Sequence, residues 1–127
     1  MICTEPCRIL VLDDEPLILL DLEFAVSDAG CIALTAMDAD EALELLAGNQ
    51  VTTAILDVSL GRGCTCERVV RDLVARGIPY ILHTGDLNRL DEMVRSLGGE
   101  LVPKPTPANA VVERALAQTG AASSPRG

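Results

Sequence analysis

Five short apolar runs, separated by segments with helical spacing, constrain the fold of this chain more than any other feature of its sequence. The runs are RILVLD (8–13), CIALTA (31–36), TTAILDV (52–58), PYILHT (79–84) and ELVP (100–103). They are apolar throughout instead of alternating, which is typical of strands that are buried on both faces. The segments between them carry apolar residues three and four positions apart, as in Leu87, Leu90, Val94 and Leu97. We therefore expect a doubly wound α/β fold with five parallel strands and five helices.

The ends of the predicted helices carry matching signals. Asp38 with Glu41 three residues later resembles a capping box, and Thr106 followed by Pro107 is suited to begin the last helix. Glycines are expected to end three helices, and these are Gly48, Gly77 and Gly98.

Length and charge narrow the class of protein. The 127 residues fit one domain that can bury a core without disulfides. Nineteen acidic and ten basic side chains give a net charge of −9, which repels nucleic acid and anionic membrane surfaces. The chain begins with no export signal and contains no apolar run long enough to span a membrane. We expect a cytoplasmic protein that binds neither nucleic acid nor membranes directly.

The cysteines favour packing over chemistry. Their number is odd and no export signal is present, so reduced thiols are expected. Cys64 and Cys66 stand at a spacing that metal sites use, but a second such pair is missing. The remaining cysteines are Cys3, Cys7 and Cys31.

Polar side chains stand where four of the five predicted strands end. Parallel α/β sheets bind ligands beyond the carboxyl ends of their strands, so these side chains are expected to meet at one edge. They are Asp13 and Asp14 after the first strand, Asp57 after the third, Thr84 at the end of the fourth and Lys104 after the fifth. Taken singly, each could be a solvated turn residue, a helix cap or a strand residue. His83 stands apart from this set, and a packing role is expected for it.

The chemistry of these groups is complementary. Three crowded carboxylates repel one another unless a cation neutralises them, and an all-oxygen site suits Mg²⁺. A phosphoryl group on one carboxylate would then lie between the cation and the Lys104 ammonium, with the Thr84 hydroxyl donating to a further oxygen. Pro103 and Pro105 restrict the backbone on both sides of Lys104 and so fix where its side chain points.

The segments VLDDE, AILDVSL, HTG and VPKP together resemble the receiver domain of bacterial two-component response regulators. The resemblance covers about residues 7–119 and implies a flavodoxin-like fold with strand order 2-1-3-4-5. It leaves 1–6 as an N-terminal extension and 120–127 as a flexible tail. By this resemblance, Asp57 is the phosphoacceptor, and Mg²⁺ is bound by Asp14, Asp57 and the backbone carbonyl of Ser59, with Asp13 acting through water. Thr84 supplies the switch hydroxyl and Lys104 contacts the phosphoryl group. The peptide bond before Pro105 is expected to be cis.

The resemblance also implies a function. Such a chain is a switch, and not an enzyme acting on outside substrates: it takes a phosphoryl group from a sensor histidine kinase or a histidine phosphotransfer protein. No output domain is expected after the last helix, so relay, phosphate sink and phosphorylation-dependent binding all stay open. A homodimer also stays open.

Two departures from the family pattern and two alternatives accompany this interpretation. Leu101 stands where the family usually has Tyr or Phe, and the loop SLGRGCTCE lacks the usual proline and glycine placement. A flavodoxin-like electron carrier would share the architecture, but it needs a hydroxyl-rich loop after the first strand and aromatic residues around the flavin. An aspartate-based Mg²⁺ phosphatase would carry its nucleophile in an Asp-x-Asp pattern on the first strand, which this chain lacks.

Overall fold

The computed structural model of the chain describes residues 7–58, 60, 65–85 and 98–119. Within these residues, five parallel strands form one sheet in the order β2-β1-β3-β4-β5. The strands are β1 Arg8–Leu12, β2 Ile32–Ala36, β3 Thr53–Leu56, β4 Tyr80–Thr84 and β5 Glu100–Pro103. The described helices are α1 Pro16–Asp28, α2 Ala39–Gly48, α3 Glu67–Arg76 and α4 Ala108–Ala117. The predicted parallel sheet and its order are confirmed. The expected helix between β4 and β5 falls on 86–97 and lies outside the described residues, as do the predicted extension 1–6 and tail 120–127.

Helices cover both faces of the sheet, which explains why the central strands carry apolar residues on both faces. In β1, Leu10 and Leu12 pack into a core cluster with residues of α2 and α3. Ile9 and Val11 pack into a second cluster with residues of α1 and α4. Because successive side chains of a strand point to opposite faces, a strand between two helical layers must be apolar on both.

The capping signals of the sequence are largely realised. The Asp38 side chain accepts a hydrogen bond from the Glu41 amide at 2.8 Å at the start of α2. The Glu41 carboxylate reaches back to the Met37 amide at 2.8 Å, one residue earlier than in the usual capping box. Gly77 ends α3 in the left-handed conformation, with φ of 74°. Gly48 is the last residue of α2 and does not follow it.

The predicted cap at Thr106 is wrong. Pro107 occupies the N-cap position of α4 with an extended backbone, and the helix begins at Ala108. The Thr106 hydroxyl donates to the Pro103 carbonyl, so it closes the turn after β5 instead of capping the helix. No helix in the described part of the chain has the length and apolarity needed to cross a bilayer.

The described cysteines are free thiols, namely Cys7, Cys31 and Cys66. Cys66 is fully buried directly before α3, and burial raises its pKa to about 12, so the reactive thiolate is strongly disfavoured. This agrees with the packing interpretation. Cys64 and Cys3 lie outside the described residues.

Candidate functional site

The sheet places the polar residues predicted from the sequence at one edge. Asp13, Asp57 and Lys104 each follow directly after the last residue of a strand. Their backbone amides still donate hydrogen bonds to carbonyls of the neighbouring strand. These hydrogen bonds fix the position of each residue at the edge of the sheet. The amide of Asp13 donates to the Ala36 carbonyl at 3.1 Å, that of Asp57 to Leu12 at 2.8 Å and that of Lys104 to Thr84 at 2.8 Å.

Asp13, Asp14 and Asp57 form an acidic cluster at this edge. Each offers a carboxylate oxygen, and these oxygens lie within 4.8 Å of one another. Asp13 is only 1% exposed and Asp57 only 6% exposed. Burial raises the pKa of Asp13, although the Glu15 amide donates to its Oδ1 at 2.9 Å and Lys104 is near. The cluster therefore concentrates negative charge where water solvates it poorly.

The Lys104 ammonium faces this cluster. Its Nζ lies 3.1 Å from Asp13 Oδ2, 3.4 Å from Asp57 Oδ2 and 3.5 Å from Glu15 Oε1. Burial alone would lower the pKa of Lys104, but the charges of Asp57 and Asp13 outweigh burial and raise it. The peptide bond from Lys104 to Pro105 is cis. The lysine is thus held as a charged group beside the carboxylates.

The acidic cluster fits a small divalent cation. The Asp13 Oδ2 atom is buried and has no hydrogen-bond partner among the described residues, and its charge is compensated by the Lys104 ammonium at 3.1 Å. An oxygen without a hydrogen bond, within a set of carboxylate oxygens, suits a hard cation such as Mg²⁺, which binds through few protein ligands and several waters. Ser59, whose carbonyl was predicted as a further ligand, lies outside the described residues.

Three other residues singled out by the sequence lie near this edge. Thr84 is buried at the end of β4, and its backbone carbonyl accepts a hydrogen bond from the Lys104 amide. Leu101 is half-buried and packs on the core cluster of the α2 and α3 side, so the position of the usual family aromatic is filled by an aliphatic side chain. His83 is buried, as its expected packing role requires. Burial, together with the Lys104 charge, lowers its pKa to about 4.

Sequence reasoning assigned no role to Glu15, whose carboxylate is the third acidic neighbour of the Lys104 ammonium. The position of Glu15 directly after Asp13 and Asp14 could have indicated a role at the acidic edge. However, a residue that directly precedes a helix is usually solvated. Glu15 is indeed largely exposed, and it precedes α1 as the N-cap residue without a side-chain cap.

Comparisons with known proteins agree with this geometry. No protein-family model matches the chain, and no curated protein sequence does. The solution structure of SdrG from Sphingomonas melonis Fr1 is 30% identical, with 90% of this chain and 96% of SdrG covered and a TM-score of 0.74. The response regulator protein TrrA from Thermotoga maritima, solved in complex with Mg²⁺-BeF, is 25% identical, with 85% and 95% covered and a TM-score of 0.73. A response regulator receiver protein from Burkholderia phymatum is 24% identical, with 91% and 96% covered and a TM-score of 0.77.

The sheet order, the acidic edge and these likenesses define one class of protein. The chain belongs to the response-regulator receiver family, and its fold supports a role in two-component signalling.

Proposed function

We propose that the chain is a phosphorylation-dependent switch in which Asp57 accepts a phosphoryl group from a phosphohistidine. The observation that carries this proposal is the Lys104 ammonium, 3.4 Å from Asp57 Oδ2 at the rim where Asp13 and Asp14 add two more carboxylates. A nucleophilic carboxylate, a cation site and a fixed ammonium are the parts that phosphoryl transfer requires.

Asp57 is the acceptor for a geometric reason. It follows β3, which lies between β1 and β4 in the centre of the sheet, so the other polar groups surround it. Asp13 and Asp14 lie on the β1 side and Lys104 on the β5 side. In the proposed reaction, an oxygen of the Asp57 carboxylate forms a bond to phosphorus while the bond between phosphorus and the nitrogen of the donor histidine breaks. The donor imidazole leaves with that electron pair.

Mg²⁺, the proposed cofactor, would be held by Asp14 and Asp57, with Asp13 acting through water, and would neutralise charge on the incoming phosphoryl group. Lys104 would contact a phosphoryl oxygen from the opposite side. Thr84, at the end of the neighbouring strand, would donate its hydroxyl to another oxygen. That TrrA was solved with Mg²⁺-BeF supports this assignment for the related chain here.

The experiment that tests the acceptor is labelling with acetyl phosphate in Mg²⁺, followed by intact-mass measurement. The parent should gain the mass of one phosphoryl group, and Asp57→Asn should gain none, because an amide is not a nucleophile for this step. Asp28→Asn, an exposed aspartate at the end of α1, is the matched control and should label like the parent. Labelling of Asp57→Asn at the parental level would place the acceptor elsewhere.

The proposed phosphodonor partner is a sensor histidine kinase or a histidine phosphotransfer protein, and the exposed side of α1 is suited to bind it. Leu17, Leu20 and Phe24 are 77%, 46% and 63% exposed and lie three and four residues apart. They form an apolar stripe that begins close to Asp14 and Glu15. A partner helix on this stripe would bring its phosphohistidine to the acidic edge.

If α1 binds the partner, a change on α1 should affect phosphotransfer from the partner kinase without affecting the chemistry at Asp57. Phe24→Asp should reduce phosphotransfer from a purified partner kinase at least about tenfold, because it places a charge in an apolar contact. It should leave labelling by acetyl phosphate unchanged. Val74→Asp, at an exposed apolar position of α3, is the control. Equal transfer to Phe24→Asp and to the parent would remove α1 from the interface.

The same site disfavours the two alternative functions, a flavodoxin-like electron carrier and an aspartate-based Mg²⁺ phosphatase. The rim after β1 is acidic and would repel the phosphate of a flavin cofactor, and the nucleophile candidate follows β3 and not β1. We therefore propose a cytoplasmic signalling switch that is not an enzyme acting on outside substrates. The net charge of −9 supports a protein partner over nucleic acid.

A further inference from the structure

Two cysteines lie side by side where the first two strands begin. Cys7 and Cys31 directly precede Arg8 and Ile32, which are the first paired residues of β1 and β2. The Ile32 amide donates to the Cys7 carbonyl at 2.8 Å, so the ladder between the two strands already includes Cys7. Neighbouring strands lie about 4.8 Å apart, which is within the Cα separation of about 4.4–6.8 Å that a disulfide bridges.

Both cysteine side chains lie on the same face of the sheet. Cys7 and Cys31 are half-buried and pack against the core cluster on the α1 and α4 side. Residues two positions apart in a strand share a face, so Cys7 follows the face of Ile9 and Cys31 that of Ala33. Ile9 and Ala33 are themselves paired across β1 and β2. The two sulfurs therefore occupy neighbouring positions at the end of this face.

The pKa of Cys31 agrees with a close contact between the two thiols. Burial and, after burial, the hydrogen bond and charge of the neighbouring Cys7 thiol raise the pKa of Cys31 to about 11. Neither thiol is fully buried, so an oxidant can reach the pair from solvent. Cys66 is fully buried in the core cluster on the opposite face of the sheet and cannot replace either partner.

We propose that Cys7 and Cys31 form a redox-sensitive pair, which a small disulfide such as oxidised glutathione converts into a disulfide between β1 and β2. One protein thiolate attacks the glutathione disulfide and releases the first glutathione. The other protein thiolate then attacks the mixed disulfide and releases the second glutathione. The pair loses two electrons and two protons, and the two released glutathione thiols take them up. Disulfides in reducing compartments are usually transient and redox-sensing, which is the role assigned to this pair.

The disulfide would clamp the edge strand β2 to the centre of the sheet. It closes the segment that contains β1 and α1, and so restricts the unfolded chain more than the folded one. Cys7 and Asp13 lie at opposite ends of β1, so the clamp leaves the acidic edge open. The proposal therefore does not depend on phosphorylation of Asp57.

Tryptic peptide mapping of the full chain identifies this linkage. Trypsin cleaves after Arg8 and Arg62, so Cys31 is the single cysteine of peptide 9–62, and peptide 1–8 contains Cys7 and Cys3. In the variant Cys3→Ser, a link between these two peptides in the monomer has one assignment. The equilibrium constant for forming this link in glutathione buffers should be at least about tenfold larger for the folded chain than in concentrated urea. Folding must favour the disulfide by the factor by which the disulfide favours folding.

Thermal unfolding provides the second measurement. After removal of the oxidant, oxidised Cys3→Ser should melt about 5–10 °C above its reduced form. Cys7→Ser in the same background is the matched control, because it keeps the size of the side chain and the other thiols, and it should show no such rise. The proposal is overturned if the folded chain forms no link between peptides 1–8 and 9–62, if folding does not increase the equilibrium constant, or if oxidation changes the melting temperature of both variants equally.

Discussion

The acidic site and the region around the His83 imidazole bury polar groups to a similar degree, but they compensate that burial differently. Asp13 is 1% exposed and has an ion pair with Lys104 and a hydrogen bond from the Glu15 amide. His83 is 4% exposed and has no hydrogen-bond partner among the described residues. Charged groups are buried here only beside opposite charge, whereas the imidazole is buried in its neutral form, as its lowered pKa of about 4 indicates.

The largest effect is expected from removing the ammonium that the carboxylates share. Lys104→Met should lower the free energy of unfolding by about 3 kcal/mol in urea titrations with EDTA, because it leaves buried carboxylates without their cation. Arg68→Met is the matched control, since its ion pair with Asp40 at 2.7 Å is largely exposed and should contribute less than about 1 kcal/mol. Mg²⁺ should restore part of the loss in Lys104→Met. Equal stability of the two variants would show that the acidic site needs no internal cation.

A smaller effect, a gain of stability, is expected from removing the buried imidazole of His83. His83→Leu should raise the free energy of unfolding by about 1–2 kcal/mol at pH 7, because it removes two unpaired buried nitrogens. The gain should grow as the pH falls. The pKa of His83 is lowered from 6.5 to about 4 in the folded chain, so between these values the unfolded chain binds a proton that the native chain does not.

The pH series makes this prediction specific. Parental stability attributable to His83 is constant above pH 6.5, decreases as the pH falls from 6.5 to about 4, and changes no further below that range. Urea titrations of parent and His83→Leu across this range measure the difference directly, since all other groups are shared. A difference that stays constant with pH would mean that the pKa of His83 is the same in the native and unfolded chains, so that burial does not lower it.

The smallest effect is expected at Asp13. Asp13→Asn should raise the free energy of unfolding by about 1 kcal/mol in EDTA, because burial disfavours the charged carboxylate more than its neighbours favour it, as its raised pKa shows. The amide can still accept the Glu15 hydrogen bond through its oxygen. Thermal unfolding with and without Mg²⁺ checks this, and the variant should gain less from Mg²⁺ than the parent does. A loss of stability in EDTA would show that the pair with Lys104 outweighs burial.

These two regions also show what the sequence can predict. The acidic site was predictable because strand ends are visible as the last residues of apolar runs, and parallel strands bring their carboxyl ends to one edge. The lack of hydrogen-bond partners for His83 among the described residues was not predictable. The position of His83 within an apolar run predicts its burial, but the packing of residues distant in the sequence decides whether the imidazole finds a partner.

Local signals succeeded or failed for equally physical reasons. The cap at Asp38 depends on residues three positions apart, so the sequence contains all of it. The expected cap at Thr106 competed with Pro107, whose extended backbone takes the N-cap position, and with the Pro103 carbonyl, which accepts the hydroxyl. Glu15 was missed because it directly precedes α1, where a carboxylate is usually solvated, and its side chain is indeed largely exposed.

The ladder hydrogen bonds of Asp13, Asp57 and Lys104 have a consequence for how this chain can change in length. Each of these residues is tied by its amide to the adjacent strand, so an insertion or deletion inside β1, β3 or β5 moves its side chain by about 3.3 Å and turns it to the opposite face. The turns that enter the strands, such as Asn49 to Thr52 before β3, carry no such tie to the acidic edge. Length variation should therefore be tolerated in those entering turns and excluded from the strands, even where the core itself could accommodate it.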